Sequence, residues 1–412
     1  MAPTLAPVTV KGRYLWAGNK RFLVNGVVYQ PHGPGIRDVA GPLKDPLSDD
    51  KLNYLERSIP LLKELHINTL ICFHVREENN HDAAMNLLAE AGIYVLPCIS
   101  PVQDAPGFGR DMPVDVYKAE VVQYYFRAID KMAQYSNTLG IVISYEYIKD
   151  VDQTPKAHVF RSIVRDVKRY MRLMATKKTQ RVLPIGIFAM DVWELIKPQF
   201  DYFAAGPDSE AIDFFAFNNF FWDIRSPRPQ SSYKRLFDLF SDASIPVFFS
   251  KYGSMGGYGP RHFEGTRYIY TDPRMLSVFS GGAIYEFFAE APRYGLVEVV
   301  ENPGTVGLRF NKLKDFRTLR KVLQTSALQL PGLLSTYSRP TTPLGRRPNP
   351  PKRSSVWQAT NTLPRSPINW REVENEIADS EWIDVAKEMT EIAIDDLASS
   401  IWESLNVDDI EP

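Results

Sequence analysis

Two apolar runs in this chain end on a charge. Asn137-Thr-Leu-Gly-Ile-Val-Ile-Ser-Tyr-Glu146 closes on a carboxylate, and Ile245-Pro-Val-Phe-Phe-Ser-Lys251-Tyr-Gly253 closes on an ammonium beside a glycine. Each run is otherwise uncharged, and a charge in apolar surroundings is costly, so each group is either paired or functional. A carboxylate just past a buried strand suits general acid–base chemistry. Two such carboxylates about 5 Å apart carry retaining cleavage of a glycosidic bond, one as acid/base and one as nucleophile. Here the second position holds lysine. An amine at that place can pair with Glu146 or, with a lowered pKa, attack a carbonyl carbon to form a Schiff base. No phosphate or cofactor motif accompanies it, so pairing is the simpler expectation and no cofactor is expected.

The elements that would position these residues recur eight times. Apolar runs fall at Phe22–Gln30, Asn68–His74, Ile93–Ile99, Gly140–Glu146, Val182–Phe188, Asp213–Asn218, Pro246–Lys251 and Ala283–Phe288. They are rich in Val, Ile and aromatics with little polar alternation, as parallel strands covered on both faces are. Helical spacing lies between them: Leu55, Ile59, Leu62 and Leu65, then Asp82–Ala91, then Val121–Met132, then Val159, Ile163, Val167 and Tyr170. Strand and helix alternating eight times predict an α/β fold, a (β/α)8 TIM barrel. The first turn, Gln30-Pro-His-Gly-Pro-Gly-Ile, lacks the glycine fingerprint of an open dinucleotide-binding sheet.

Composition changes after the barrel. Residues 1–316 read as the barrel, 317–370 as a terminal helix and Pro/Arg-rich linker, and 371–412 as an acidic tail. Eight prolines lie between Pro331 and Pro367, which marks a linker-joined or disordered extension. Residues 311–353 hold ten Lys and Arg against one Asp, and residues 371–412 hold fourteen Asp and Glu against two basic residues. Ile394, Leu397, Ile401 and Leu405 recur at helical spacing within that tail, an amphipathic helix that could fold back on the basic surface or dock a protein partner. A net charge of −1 and a basic stretch poor in aromatics argue against nucleic acid. His32, His66, His74, His81, His158 and His262 show no metal-ligand spacing, and no metal is expected. Cys72 and Cys98 both lie in apolar runs and read as buried small hydrophobes.

Several motifs together resemble a known family. Gly26-Val-Val-Tyr-Gln30, Asp45-Pro-Leu, Ile59-Pro-Leu-Leu-Lys-Glu-Leu65, Ala91-Gly-Ile-Tyr-Val95, Asn137-Thr-Leu-Gly140, Ile245-Pro-Val-Phe-Phe-Ser250, Ser280-Gly-Gly-Ala-Ile-Tyr285 and Tyr294-Gly-Leu-Val297 stand in the order and spacing of glycoside hydrolase family 72. These are the fungal β-1,3-glucanosyltransferases, and the resemblance runs from about Lys11 to Val299. It implies a retaining transglycosylase fold acting on β-1,3-glucan. It puts Glu146 at the acid/base position and Lys251 at the nucleophile position, where the family has glutamate. Tyr29, Gln30, Asn218, Tyr233 and Tyr285 fall on or near groove-lining positions, and Tyr145 stands where the family has the asparagine that precedes the acid/base. Cys98 and Ile71 replace a third-strand aspartate and a second-strand arginine.

These departures predict an impaired enzyme that retains glucan or oligosaccharide binding. Lysine cannot form the glycosyl ester, and its charge opposes the developing oxocarbenium ion. The alternatives are an active transferase using Glu264, Glu286 or Glu290 instead, or a non-catalytic interaction protein working through its tail. The family's disulfide positions fall on Leu55 with Ala84 and on Asp223 with Ser254. Neither pair keeps a cysteine, and residues 1–8 carry no leader pattern. Although family members are membrane-anchored at the cell surface, both features lead to the expectation of a cytoplasmic chain.

Overall fold

The computed structural model describes residues 5–31, 45–99, 117–220, 229–253, 261–289, 294–301, 308–337 and 346–378. The acidic helix read at 394–405 lies outside the described residues, as do Glu290, Asp223 and Ser254.

Three short strands come first: β1 (Val8–Lys11), β2 (Tyr14–Ala17) and β3 (Lys20–Phe22), paired antiparallel in that order. Eight parallel strands follow: β4 (Val24–Val28), β5 (Thr69–Cys72), β6 (Tyr94–Pro97), β7 (Ile141–Tyr145), β8 (Ile185–Ala189), β9 (Phe214–Asn219), β10 (Val247–Tyr252) and β11 (Phe279–Ile284). Their order around the sheet is β6-β5-β4-β11-β10-β9-β8-β7. The remaining seam closes through parallel bridges of Val95 to Thr138 and Cys98 to Val142, with Leu139 N donating to Val95 O at 2.7 Å. The sheet is therefore a barrel, as the eightfold alternation predicts.

Burial on both faces explains the apolar runs. Val24, Val28, Ile71, Leu96, Val142, Phe188, Phe214, Ala216, Phe248 and Ala283 fill the barrel interior. Alternate residues such as Val27, Leu70, Val95, Ile143, Phe217 and Phe249 face the surrounding helices. Those helices are α1 (Leu52–Glu64), α2 (Asp82–Glu90), α3 (Ala119–Ala133), α4 (Ala157–Lys177), α5 (Trp193–Ala204), α6 (Pro229–Phe240), α7 (Glu264–Thr271) and α8 (Pro273–Val278). The β1–β3 sheet plugs the bottom, with Val8, Leu15 and Phe22 continuing the interior cluster. Arg13 ties it to Ser241 O at 2.9 Å and Tyr14 to Ser277 O at 2.9 Å.

The eighth strand begins earlier than its apolar run. Gly281 and Gly282 lie inside it, where a side chain would not fit. A Cβ on Gly281, at φ +87, would stand 2.1 Å from Val24 O, and one on Gly282 would stand 2.8 Å from Phe249 Cβ. Glycine at such a close approach reads in sequence as a turn.

After the barrel come the hairpin β12 (Val297–Glu301) with β13 (Leu308–Lys312), and the long helix α9 (Lys314–Tyr337). Residues 346–378 run as an extended strap over α4 and α5 and end in a helix from residue 370. Trp357, 1% exposed, rests on the Tyr202 ring at 5.2 Å, and Tyr202 donates to Thr360 O at 2.6 Å.

Candidate active site

Register slips in two strands bring the charged residues to the same end of the barrel. Between β7 and β8 the register shifts from Val142 to Ser144. Val142 faces the interior and Ile143 the helices, and beyond the slip Tyr145 packs on the interior cluster. Glu146 follows with left-handed backbone, φ +49, a conformation that non-glycine residues hold only when their surroundings enforce it. Its amide donates to Phe188 O at 2.8 Å. Between β10 and β9 a second slip separates Phe249 from Lys251 and sets Lys251 opposite Asn218. A bulge of this kind re-aims one side chain without moving the strand.

Lys251 Nζ lies 2.8 Å from Glu146 Oε1, with the two side chains only 8% and 10% exposed. It also donates to the Tyr145 hydroxyl. The rings of Tyr145, Phe73 and Tyr285 surround the ammonium at 4.6, 5.0 and 5.2 Å, each contact adding roughly 0.5–2 kcal/mol of attraction. Asn218 Nδ2 donates to the same Glu146 oxygen at 2.8 Å, and Ser250 Oγ donates to Asn218 Oδ1 at 3.0 Å. Burial pushes the Tyr145 phenol well above its ordinary range, with Glu146 adding to the shift. Lys251 therefore sits in an aromatic box with its charge answered by Glu146.

A second carboxylate stands beside this box. Glu286, 5% exposed just past β11, is pushed up to about 7 by burial, while Lys251, a hydrogen bond to Tyr285 and Arg261 pull the other way. Arg261 holds the local chain together. It donates to Gly253 O at 3.1 Å, to Tyr285 O at 2.5 Å and to Tyr294 O, and its Nε pairs with Asp315 at 2.7 Å. Half-buried Phe220, Tyr285 and Tyr294 contact one another at 5.4 to 5.9 Å and form an aromatic rim.

The structure thus gathers Glu146, Lys251, Tyr145, Asn218 and Tyr285. Gln30 lies buried just past β4. Tyr29 and Tyr233 lie elsewhere. Tyr29 is fully buried on the helix side, with its hydroxyl 3.2 Å from Ser58 Oγ on α1 and its ring against Phe287 and Phe288. Tyr233 stacks on Tyr268 of α7 at 5.1 Å. Strand-end position alone does not separate a groove aromatic from one packed under a helix. Phe73, Ser250, Phe220, Tyr294 and Arg261 were not singled out from sequence, although Phe73, Ser250 and Phe220 lie at or beside strand ends. Glu264 is exposed on α7. Ile71 and Cys98 are buried in the apolar interior, and burial raises the Cys98 thiol well above its usual range, with Lys251 opposing.

The model of the glucanosyltransferase family, glycoside hydrolase family 72, matches residues 1–324. The chain belongs to this family. Among its relatives, 1,3-beta-glucanosyltransferase gel1 of Aspergillus fumigatus is 31% identical over 364 residues, which are 88% of this chain and 74% of that protein. 1,3-beta-glucanosyltransferase GAS5 of Saccharomyces cerevisiae is 33% identical over 364 residues, 87% of this chain and 70% of the relative. The solved structure of Saccharomyces cerevisiae Gas2p in complex with laminaripentaose superposes with a TM-score of 0.73 at 26% identity, covering 89% of this chain and 78% of that one.

Membership in this cell-surface family corrects the expectation of a cytoplasmic chain. Part of that expectation rested on the missing cysteines. Leu55 on α1 and Ala84 on α2 are both buried in the helix-side core as apolar packing residues.

Proposed function

We propose that this chain is a glucanosyltransferase-family barrel that binds β-1,3-glucan oligosaccharides at the rim around Glu146 but is impaired in transferring them. One observation carries this reading: Lys251, which the family resemblance sets against the nucleophile glutamate, is ion-paired to Glu146 at 2.8 Å. A retaining mechanism forms a glycosyl ester on the nucleophile while the acid/base protonates the leaving oxygen. Lys251 offers no carboxylate oxygen, and its charge opposes the oxocarbenium ion. Glu146 Oε1 already accepts from both Lys251 and Asn218. Binding is supported by the half-buried Tyr145, Tyr285, Phe220 and Tyr294, whose faces can stack on sugar rings, and by the laminaripentaose complex of Gas2p. In this reading Asn218 orients Glu146.

The test is a titration with laminaripentaose together with a chain-elongation assay, on the wild type and on Lys251→Glu. Binding without elongation is expected for the wild type, and gain of elongation in the variant would mark Lys251 as the main lesion. Robust elongation by the wild type overturns the proposal. A second reading is favoured by Glu286, a buried carboxylate beside Lys251: transfer with Glu286 in the missing role. That reading requires wild-type activity that Glu286→Gln removes.

A further inference from the structure

The strap that follows the barrel lies outside the family match, and it ends on a charged surface. Along α4 its contacts advance in step with the helix. Arg165 Nη1 donates to Pro364 O at 2.8 Å, Ser366 Oγ donates to Asp166 Oδ2 at 2.8 Å, the Arg169 guanidinium lies 4.1 Å over the Trp370 ring, and Arg169 pairs with Glu374 at 3.2 Å. The strap and α4 therefore run parallel. Val373 and Ile377 are buried beneath the strap helix, and Trp370 also contacts Phe126 of α3 at 5.9 Å. The described chain stops at residue 378, with α4 continuing beside it.

The uncovered part of α4 has a definite chemistry. Arg172 and Lys177 are exposed, with Leu173 half-buried between them, and Val182, just beyond the helix, is 51% exposed. Arg169 and Lys177 stand about 12 Å apart along the helix axis. The sequence that continues from residue 378 is the acidic tail. Residues 379–412 hold eleven carboxylates, beginning with Asp379, Glu381 and Asp384, and one lysine, Lys387. Trp382 and Ile383 are interleaved with these first three acids. Continuity, direction and charge all match this segment to the exposed face.

We propose that the basic C-terminal half of α4, around Arg172, Leu173 and Lys177, is the docking surface for this chain's own acidic segment from Asp379 onward. The interaction extends the Arg169–Glu374 pair and lengthens the strap. It makes no use of the Lys251 site and does not depend on the reading of the barrel as an impaired transferase.

The experiment is carbodiimide coupling of the full chain, read by mass spectrometry in an equal mixture of isotope-labelled and unlabelled protein. Amide links from Lys177 to Asp379, Glu381 or Asp384 within single chains are expected. Replacing Lys177 removes the coupling amine, so its variants need a separate readout: the rate of proteolysis after residue 378. Arg172→Glu with Lys177→Glu should speed that cleavage at least threefold, and Asp379→Lys, Glu381→Lys and Asp384→Lys in the same chain should reverse most of the change. Links found only between labelled and unlabelled chains would assign the surface to a second copy and overturn the proposal. Cleavage that ignores both sets of substitutions would overturn it as well.

Discussion

Lys251 and Glu146 neutralise each other in a pocket that excludes most water. Removing one partner of a buried ion pair leaves the other charge uncompensated, at a cost of about 3 kcal/mol. Lys251→Met is therefore expected to lower unfolding free energy by about that amount. Combining it with Glu146→Gln should recover most of the loss, a coupling that a double-mutant cycle in urea measures. Glu286 gives a pH-dependent prediction of definite sign. Its folded pKa is raised from 4.5 to about 7, so the native state holds a proton that the unfolded chain has released. The associated stability is present at low pH and is lost as pH rises through the folded value. Glu286→Gln keeps the shape without the charge. It should flatten the stability profile between about pH 4.5 and 7 and stabilise the protein above that range by on the order of 3 kcal/mol.

The strands that carry these residues depend on close packing inside the barrel. Gly186 on β8 faces the Phe214 ring so closely that an added Cβ would stand 2.1 Å from its edge. Overfilling a close-packed interior costs about 3 kcal/mol at a site this tight. Gly186→Ala is expected to lower the unfolding free energy by that amount, read as a lower urea midpoint with an unchanged slope, and Phe214→Leu in the same chain should return part of the loss. An Ala variant as stable as the wild type would mean that Phe214 has another place to go. The slips in β7 and β10 act on the same scale, since each reverses the in–out alternation just before the chemically important residue.

At the scale of the whole molecule, the barrel is closed at the bottom by the β1–β3 sheet and flanked at α4 and α5 by the strap. Residues 346–378 include segments whose composition reads as linker, yet Trp357, Ile368, Val373 and Ile377 join the main hydrophobic cluster. Trp357→Ala should cost about 3–5 kcal/mol if the strap and barrel unfold together. Limited proteolysis within residues 346–378 reports the outcome. Faster cleavage of the variant, with a lowered thermal midpoint, is expected; cleavage at the wild-type rate would show that the strap does not rely on this anchor.

Much of the barrel was legible in the amino-acid order because parallel strands buried on both faces must be continuously apolar, and eight such runs stand at regular spacing. The same logic made Glu146 and Lys251 visible, since a charge at the end of an uncharged run is conspicuous. Side-chain direction was less legible. Tyr29 and Tyr285 both stand at strand ends, but Tyr29 packs under α1 while Tyr285 joins the box around Lys251. Period-two alternation separates these two tyrosines, but it fails in β7 and β10, where the chain bulges, and bulges are set by pairing with neighbours distant in sequence. Tertiary structure likewise decided the position of the strap, because a proline-rich segment has no periodicity to show which surface it will cover. The sequence by itself determined the family, the fold and the two charges, Glu146 and Lys251, that end otherwise apolar runs. Only the tertiary structure decided that this lysine meets Glu146 at 2.8 Å within three aromatic rings, because that contact depends on two register slips, the one in β7 against β8 and the one in β10 against β9.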